Sequence, residues 1–464
     1  MELKADIDRI MRDIDHVTGG SVVTNRPSYS ESDAETRKYF RSAFKELGLC
    51  VSVDGAGNIR AAMAGREPDL APVLTGSHID TVKNGGRFDG LVGSVCALEC
   101  VRVFRENGYV PRRNVEIIFF AEEEATNFGI TLLGSKLLTG KLTPEDLKSI
   151  LNDEGDSADT VIRRAGYDPS CFGGDHRFDH DHGHDHERNN DHDHSHDFCD
   201  DHDHDFDNDH EHYFDHDHDH GDGRNFSTGV LKQGDVYAMI ETHVEQGPVL
   251  DKLGIPIGVV ERIAGMETYR IVFKGVCGHA GTMPMPDRHD PMIGAAETII
   301  GIKQAAETSE SGTAVATVGK IAARPGAANI IAREVEFNVD IRDAYDESVE
   351  RLSDVLNSLV EKTAEKYGLT VEVVRIAKSP AVALDPEVVA LIHSAALDLG
   401  IGSMYINSGA VHDTAMMAGI TRAGMIFVPS VGGASHCPEE ETRAPDILNG
   451  ANVLIETIRR LAES

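Results

Sequence analysis

The chain has 464 residues, enough for two domains with substantial hydrophobic cores, and its net charge is −34 at pH 7. That charge argues against nucleic acid or an anionic membrane as a partner, because both would repel the protein. The seven cysteines include no CxxC pair, the first residues are too charged for a signal peptide, and no apolar run is long enough to span a bilayer. We therefore expect a cytoplasmic protein.

The first third of the chain has the pattern of an α/β unit. Residues 32–49 show helical apolar spacing, and the runs PVLTGSH (72–78) and NVEIIFFAEEE (114–124) predict buried strands that end in polar side chains. The segment between them, GSVCALECVRVFRENG (93–108), predicts a helix. Such units carry their sites at the carboxyl ends of the strands, so we expect the functional groups there.

The α/β pattern is then interrupted at residues 175–223, where histidine and aspartate alternate; this segment is called the His/Asp tract below. Between Asp175 and Asp222 it holds 15 of the 23 histidines, and 19 acidic residues against two arginines give it a charge of −17. With so few apolar side chains it cannot offset the entropy of ordering, so we predict a disordered insertion outside the catalytic site. Two interpretations stay open: a solvated insertion without a role, and a reservoir of weakly bound ions such as Zn²⁺ or Ni²⁺.

A second unit follows the segment ETHVEQG (241–247). Period-two alternation predicts strands and apolar spacing predicts helices, giving strands at 267–275, 313–321, 334–342 and 370–377 and helices at 290–307 and 347–368. The order β-α-β-β-α-β is that of a ferredoxin-like unit. We predict an inserted domain at residues 266–379 within a discontinuous first domain of residues 1–265 and 380–464.

Eight histidines lie outside the tract, and several have unusual neighbours. GSHIDTVKNGGRFDG contains His78, Asp80 and Asp89, AEEEATNFG places three glutamates after a buried strand, and His243 and His436 lie in ETHVEQG and GGASHCPEEE. Any one of these histidines alone is more often structural. Adjacent glutamates at the end of a buried strand repel one another, and a cation would remove that repulsion. Together, the imidazoles and carboxylates predict a paired divalent-metal site.

These motifs resemble those of the hydantoinase/carbamoylase amidases, which include N-carbamoyl-L-amino-acid hydrolases, β-ureidopropionases and allantoate amidohydrolases. The resembling segments occur in the family's order and span nearly the whole chain: GSHIDTVKNGGRFDG, EEEATNFG, ETHVEQGPVLD, GHAGTMPMPDRHDP, ARPGAANII, VDIR, SGAVHDTAMMA and FVPSVGGASHCPEEET. The resemblance implies an α/β catalytic domain of the di-metal aminopeptidase and carboxypeptidase type, with an inserted ferredoxin-like α+β lid that forms a homodimer. The implied reaction cleaves the carbamoyl (ureido) C–N bond of N-carbamoyl-L-amino acids, giving amino acid, carbon dioxide and ammonia.

The resemblance also assigns the metal site. Two divalent ions per subunit are implied, Zn²⁺ or Mn²⁺ with Co²⁺ and Ni²⁺ as alternatives, and their implied ligands are His78, Asp89, Glu124, His243 and His436. Asp89 would bridge the two ions. Asp80 would orient His78, and alignment on Phe128 makes Glu123 the general base.

Four further residues match family positions that hold the substrate: Gln246, His279, Asn329 and Arg342. Arg342 would bind the substrate carboxylate, and His279, supplied by the partner subunit, would stabilise the oxyanion. The chain departs from the family at Ala125 and Asn127, where glycine and arginine are usual, and at Val411, which replaces the second glycine of S-G-A-G-H-D. The tract is the largest departure.

Other functions fit the sequence less well. HExxH, GxSxG and P-loop motifs are absent, and the nearness of Cys277 and His279 in sequence does not make a nucleophile–base pair in space. A dipeptidase fits GRFDG and ETHVEQG less well, whereas allantoate and N-carbamoyl-β-alanine remain alternative substrates. A metal-buffering protein on an inactive amidase scaffold is the alternative of another class, although a buffer needs no general base.

Overall fold

The computed structural model describes residues 3–173 and 229–464. The predictions made for the His/Asp tract therefore lie outside the described residues. The helices are α1 (Ile7–Thr18), α2 (Glu31–Glu46), α3 (Leu91–Glu106), α4 (Leu133–Leu138), α5 (Ala158–Arg164), α6 (Val249–Leu253), α7 (Pro291–Glu307), α8 (Asp346–Tyr367), α9 (Pro386–Asp398), α10 (Asp413–Met417) and α11 (Ala444–Glu463).

The strands are β1 (Cys50–Val53), β2 (Ile59–Met63), β3 (Val73–His78), β4 (Val115–Phe120), β5 (Ala238–Val244), β6 (Ile257–Ile263), β7 (Gly265–Lys274), β8 (Gly278–His279), β9 (Val315–Arg324), β10 (Ile330–Ile331), β11 (Glu334–Asp343), β12 (Thr370–Ser379), β13 (Val382–Ala383), β14 (Ser403–Ser408) and β15 (Arg422–Val428). The two predicted buried strands are β3 and β4, and the helix predicted between them is α3. Within the described ranges, no helix combines the length and the apolar composition needed to cross a membrane.

The larger sheet has the strand order β1-β2-β4-β3-β5-β15-β6-β13, and β14 pairs with β6. Its centre is parallel, because β3 pairs in parallel with β4 and β5, and β5 with β15. Every residue of β3, β4 and β5 is buried. Ile117 and Phe119 of β4 pack into one apolar cluster and Ile118 and Phe120 into another, so both faces of the sheet are covered. The mixed α/β fold predicted from the sequence is confirmed.

The parallel register brings several strand ends to one edge of this sheet. His78, the last residue of β3, is level with Phe120, the last residue of β4, and His243 near the end of β5 is level with Phe427 of β15. The loops that follow these strands therefore meet at the same edge, which is where open α/β sheets bind ligands.

The second sheet is antiparallel and has the order β12-β7-β11-β9. Helices α7 and α8 share one apolar cluster with it, so the unit has its own core. The elements follow the predicted order β-α-β-β-α-β. Strands β8 and β10 form a separate two-stranded ribbon in which His279 lies opposite Ile330.

The described chain ends that flank residues 174–228 lie side by side. Phe172 and Leu231 belong to the same apolar cluster, and the Leu231 N–H donates to the Leu138 carbonyl at 2.8 Å. A Cβ placed on Gly229 would lie 3.5 Å from the carbonyl oxygen of Cys171. The chain therefore leaves and re-enters the described part at one place.

Candidate metal centre and active site

His78, Asp89 and His243 form the first group of potential ligands, and all three are buried. The Nε2 atom of His243 lies 3.1 Å from Oδ1 of Asp89 and 3.5 Å from Nε2 of His78, and the His78 Nε2 lies 3.8 Å from the same oxygen. Ligands of a tetrahedral zinc ion, each about 2.1 Å from the metal, are separated by about 3.4 Å. The three atoms are thus spaced as the ligands of one ion.

The hydrogen bonds of the two histidines favour the metal-binding tautomer. Nδ1 of His78 lies 3.1 Å from the carbonyl oxygen of Asp80, and Nδ1 of His243 lies 2.9 Å from that of Val244. A carbonyl only accepts, so each Nδ1 carries the proton and each Nε2 presents its lone pair to Asp89. Oδ1 of Asp89 is buried and receives no hydrogen bond from any residue that the structure describes, as expected for an oxygen that binds a cation.

A second group consists of Asp89, Glu124 and His436. The Nε2 atom of His436 lies 3.1 Å from Oδ2 of Asp89 and 3.3 Å from Oε2 of Glu124. Oε1 of Glu124 is buried and has no hydrogen-bond partner within residues 3–173 and 229–464. Asp89 therefore offers one carboxylate oxygen to each group, which is the arrangement of a carboxylate that bridges two ions.

Gly90, which follows Asp89, has to be glycine for two reasons. Its φ is +64°, in the region that side chains rarely adopt, and a Cβ there would lie 2.3 Å from the ring of His78. The loop after Asp89 can therefore pass against the histidine only because this residue has no side chain.

Glu123 forms a further possible ligand set with His78 of the first group and Glu124 of the second, and its side chain is 8% exposed. Its Oε2 is 3.8 Å from Nε2 of His78. Burial raises the pKa of Glu123 well above that of an ordinary carboxyl group; His78 opposes this shift, and the charge of Glu124 adds to it. Burial, together with the charge of Asp89, raises the pKa of Glu124 to about 7. A divalent cation among these carboxylates would remove their repulsion.

Asp80 contacts the site mainly through its backbone carbonyl and through the loop that carries Glu122, Glu123 and Glu124, called the glutamate loop below. Its Oδ1 is 3.5 Å from Nδ1 of His78, farther than its own carbonyl oxygen at 3.1 Å. Its carboxylate instead accepts the backbone N–H groups of Glu123 at 3.4 Å and Glu124 at 3.2 Å. Asp80 thus links the loop that follows β3 to the loop that follows β4.

The four predicted substrate residues lie in different places. Nε2 of Gln246 is 2.7 Å from Oδ2 of Asp89, so Gln246 lies beside the candidate ligands. Arg342 lies on β11, and its Nη1 donates to the carbonyl of Gly409 at 3.3 Å. His279 on β8 and Asn329, which directly precedes β10, are both exposed, and the Asn329 carbonyl accepts the Ala280 N–H at 2.9 Å. No contact found among the described residues joins this pair to the candidate ligands.

Two of the sequence departures adjoin the glutamate loop. Ala125 adopts a left-handed φ of +58°, which costs a residue with a Cβ about 1–2 kcal/mol relative to glycine. The side-chain amide of Asn127 donates to Oε2 of Glu122 and to the carbonyl of Ser28, each at 2.7 Å. Both changes therefore affect the support of the loop and leave the five proposed ligands in place.

His412 and Glu241 support the first group, a role that the sequence did not indicate. The ring of His412 packs edge-on against His243 with centroids 4.5 Å apart, and burial lowers its pKa well below the usual value. Glu241 accepts hydrogen bonds from Ser77 at 2.7 Å and from the Thr414 hydroxyl at 2.6 Å. The ligands of β3 and β5 are thereby fixed to one another; the segments ETH and VHD contained these residues but gave no sign of the contact.

Glu440 supports the second group in a similar way. It accepts the backbone N–H groups of Phe88 at 2.7 Å and Asp89 at 3.0 Å, and the hydroxyl of Ser435 at 3.2 Å. The loop that carries Asp89 is thus tied to the loop that carries His436. Three glutamates follow one another in CPEEE, so the sequence alone did not indicate which of them turns inward.

Comparison with known proteins gives concordant results. The model of Peptidase family M20/M25/M40 matches residues 74–460. The N-carbamoyl-L-amino-acid amidohydrolase of Paenarthrobacter aurescens is 32% identical over 461 residues, covering 99% of this chain and 98% of that protein. The ureidoglycolate hydrolase of Arabidopsis thaliana is 32% identical over 471 residues, with 99% and 87% covered. The crystal structure of a hydantoinase/carbamoylase family amidase from Burkholderia multivorans superposes with a TM-score of 0.81 at 28% identity, covering 100% of this chain and 99% of that one.

Proposed function

The chain belongs to peptidase family M20/M25/M40, and on that premise we propose that it hydrolyses the carbamoyl C–N bond of N-carbamoyl-L-amino acids. It is a hydrolase of the kind that acts on C–N bonds other than peptide bonds. The observation that carries the proposal is the pair of ligand groups that share Asp89, with the buried Glu123 beside them.

Two divalent ions would occupy the two groups. Three imidazoles and two carboxylates suit Zn²⁺ or Mn²⁺, with Co²⁺ and Ni²⁺ as alternatives. When bound, such ions lower the pKa of a water molecule toward neutrality and polarise the scissile carbonyl. Two observations support this occupancy. Asp89 and Glu124 each have a buried oxygen that accepts no hydrogen bond from a described residue. The Nε2 atoms of His78 and His243 are free of protons, because each Nδ1 donates to a carbonyl.

Glu123 would act as the general base. Its carboxylate takes a proton from the attacking water and returns it to the leaving nitrogen, so that the amino acid departs as a neutral amine. The carbamic acid that remains breaks down to carbon dioxide and ammonia. Burial of Glu123 supports this role, because a carboxylate with a raised pKa is a stronger base near neutral pH.

The substrate would be held by groups from both units. The guanidinium of Arg342 matches a carboxylate in shape and charge, and its contact with Gly409 supports a position at the junction with the catalytic unit. Gln246 and Asn329 supply amides, and His279 donates a hydrogen bond to the oxyanion.

The decisive experiment is ammonia release by metal-free protein that has been reloaded with each of the four ions. The substrate panel contains N-carbamoyl-L-amino acids, their D isomers, ureidoglycolate, allantoate and N-carbamoyl-β-alanine. We expect turnover of L-carbamoyl amino acids, and no turnover after chelation. If the enzyme prefers ureidoglycolate, allantoate or N-carbamoyl-β-alanine, the proposed substrate would be wrong, but the proposed hydrolysis of a ureido C–N bond would stand. If no substrate of the panel releases ammonia with any of the ions, the metal-buffering alternative would be favoured.

The position of His279 leads us to propose a homodimer. His279 is exposed on its ribbon, and apolar side chains of the same unit are open to solvent: Val276 (52%), Met285 (70%) and Ile300 (56%). A partner subunit that packs against these side chains would bury them and bring its own His279 to the neighbouring active site.

This arrangement predicts complementation between two inactive variants. His279→Ala and Arg342→Ala should each lose most activity. In a mixed dimer one site combines the intact Arg342 of one chain with the intact His279 of the other, so random exchange should restore about a quarter of the wild-type rate. Mixed variants that stay inactive, or wild-type monomers that are fully active at nanomolar concentration, would contradict the shared site.

The His/Asp tract is proposed to hold further ions without taking part in catalysis. Because the flanking chain ends adjoin, residues 179–222 can be replaced by a short Gly/Ser linker. We expect this tract-free variant to be fully active at saturating metal, to bind several fewer weak ions by calorimetry, and to reactivate more slowly at limiting metal. Ion binding to the wild-type tract should weaken as pH falls through the histidine range, because protonated imidazole is no ligand. A folded but inactive variant in excess metal would place the tract in the catalytic machinery.

A further inference from the structure

We propose that the segment Thr24–Ser28, between α1 and α2, is a positioning element for the metal centre, and that Arg26 is its principal residue. The inference rests on the proposed function, because it concerns the geometry of the proposed ligands. The segment lies 50 to 54 residues before His78, the first of those ligands, yet its hydrogen bonds reach three loops that carry or adjoin proposed ligands.

The first of these loops is Ile79–Thr81, directly after His78. The backbone N–H of Arg26 donates to the hydroxyl of Thr81 at 2.9 Å, and the Thr81 N–H donates to the Arg26 carbonyl at 3.0 Å. The Nε–H of Arg26 donates to the carbonyl of Ile79. Three hydrogen bonds from one residue thus fix the backbone on both sides of Asp80.

The second loop leads to Asp89. Thr24 exchanges backbone hydrogen bonds with Gly85, at 2.9 and 3.1 Å, and its hydroxyl donates to the carbonyl of Gly86. Glu440 also packs against Gly86, since a Cβ on that glycine would lie 2.3 Å from the Cβ of Glu440. The approach to Asp89 is therefore contacted by both Thr24 and Glu440.

The third loop carries the glutamates. The hydroxyl of Ser28 accepts the backbone N–H of Glu122 at 2.7 Å, and its carbonyl accepts the side-chain amide of Asn127 at 2.7 Å. Glu123 and Glu124 lie between these two contacts in the sequence. The segment is therefore hydrogen-bonded to the loops of every proposed ligand except His243 and His436.

Arg26 differs from other buried arginines of the described chain. Arg26 is 4% exposed, and its guanidinium forms no ion pair within 4 Å among the described residues; the charges of Asp33 and Asp80 act on it only from beyond that distance. Arg37 and Arg60, which are similarly buried, pair with Asp33 and Glu116. Burying a guanidinium without an ion pair is costly. Instead of an ion pair, Arg26 makes a hydrogen bond to the carbonyl of Ile79, the residue between His78 and Asp80.

A shift of the Ile79–Thr81 loop would reach both ligand groups. The Asp80 carbonyl lies at Nδ1 of His78, and the Asp80 carboxylate accepts the N–H groups of Glu123 and Glu124. Loss of the Arg26 contact should therefore disturb His78 in one group and Glu124 in the other. Groups that orient metal ligands typically contribute 10–100-fold to metal affinity.

The test compares three full-length variants by Co²⁺ affinity, by the visible absorption of bound Co²⁺, and by thermal unfolding. Arg26→Met keeps the apolar stem but removes every side-chain donor, and Arg26→Lys keeps a charged donor group without the guanidinium Nε–H. Arg102→Met is the control, because Arg102 is partly buried on α3 and its loss leaves Asp13 without its guanidinium partner. Full-length Asp89→Asn provides the Co²⁺ signal that arises outside the centre, which is subtracted.

We expect Arg26→Met to weaken Co²⁺ binding by about 10–100-fold and to change the absorption band. The Co²⁺ affinity of Arg26→Lys should lie between that of Arg26→Met and that of wild type. Arg102→Met should unfold at a lower temperature than wild type, but its Co²⁺ affinity and absorption band should be unchanged. Wild-type affinity and band in Arg26→Met would overturn the inference alone. If that variant does not fold, Thr24→Val, which removes one hydroxyl, is judged by the same criteria. Wild-type protein that binds no more Co²⁺ than Asp89→Asn would overturn the metal centre and this inference with it.

Discussion

Replacing Glu123 with glutamine is expected to lower kcat by at least about 100-fold while both ions stay bound, because the change removes a general base and leaves the ligands intact. Glutamine has the shape of glutamate, and the backbone N–H of residue 123 can still donate to Asp80. The measurements are ammonia release at saturating substrate and metal content after dialysis.

Glu124→Gln is the matched control, because it makes the same change one residue later. Oε2 of Glu124 faces His436 in the second ligand group, so this variant should lose metal first and activity as a consequence. Loss of metal from Glu123→Gln, with retention in Glu124→Gln, would mean that the two roles are exchanged. Unchanged turnover in Glu123→Gln would remove it from the mechanism.

Replacing Asp89 with asparagine is expected to release both ions and abolish turnover. Asp89 has one oxygen 3.1 Å from His243 and the other 3.1 Å from His436. Asparagine offers a single neutral oxygen, so at least one group loses its ligand and both lose the shared negative charge. We expect affinity for both ions to fall by at least about 100-fold, since even groups that only orient ligands contribute 10–100-fold.

His436→Ala serves as a comparison that tests whether Asp89 bridges two ions or binds only one. His436 belongs to the second group alone, so this variant should retain the ion of His78 and His243 and lose the other. Metal analysis of tract-free protein should give no tightly bound ion for Asp89→Asn and one for His436→Ala. Equal losses in the two variants would contradict the assignment of Asp89 as the bridge.

The candidate metal centre could be predicted from the sequence because several of its proposed ligands follow strongly apolar strands. VEIIFF and PVLTGSH predict buried strands, and parallel pairing then brings the residues after them to one sheet edge. His78, Glu123 and Glu124 could be grouped on that argument. The resemblance to amidases was needed to assign roles within the group, because apolar patterning cannot distinguish a base from a ligand.

The supporting contacts were not accessible, because they join residues that are distant in sequence through backbone atoms. Arg26 reaches the Ile79 carbonyl and Ser28 accepts the N–H of Glu122. A backbone carbonyl or N–H is the same at every position, so nothing in the sequence marks the one that will be used. The same limit applies to Asp80, whose carbonyl lies nearer to His78 than the predicted carboxylate.

The most direct test of the central claim is a metal titration of the metal-free, tract-free variant, with ammonia release from an N-carbamoyl-L-amino acid as the readout. The two ligand groups that share Asp89 predict that activity rises with added Zn²⁺ or Mn²⁺ and reaches its plateau at two ions per chain. Ammonia release that is independent of added metal, or no release from any ureido acid at any metal concentration, would contradict the account.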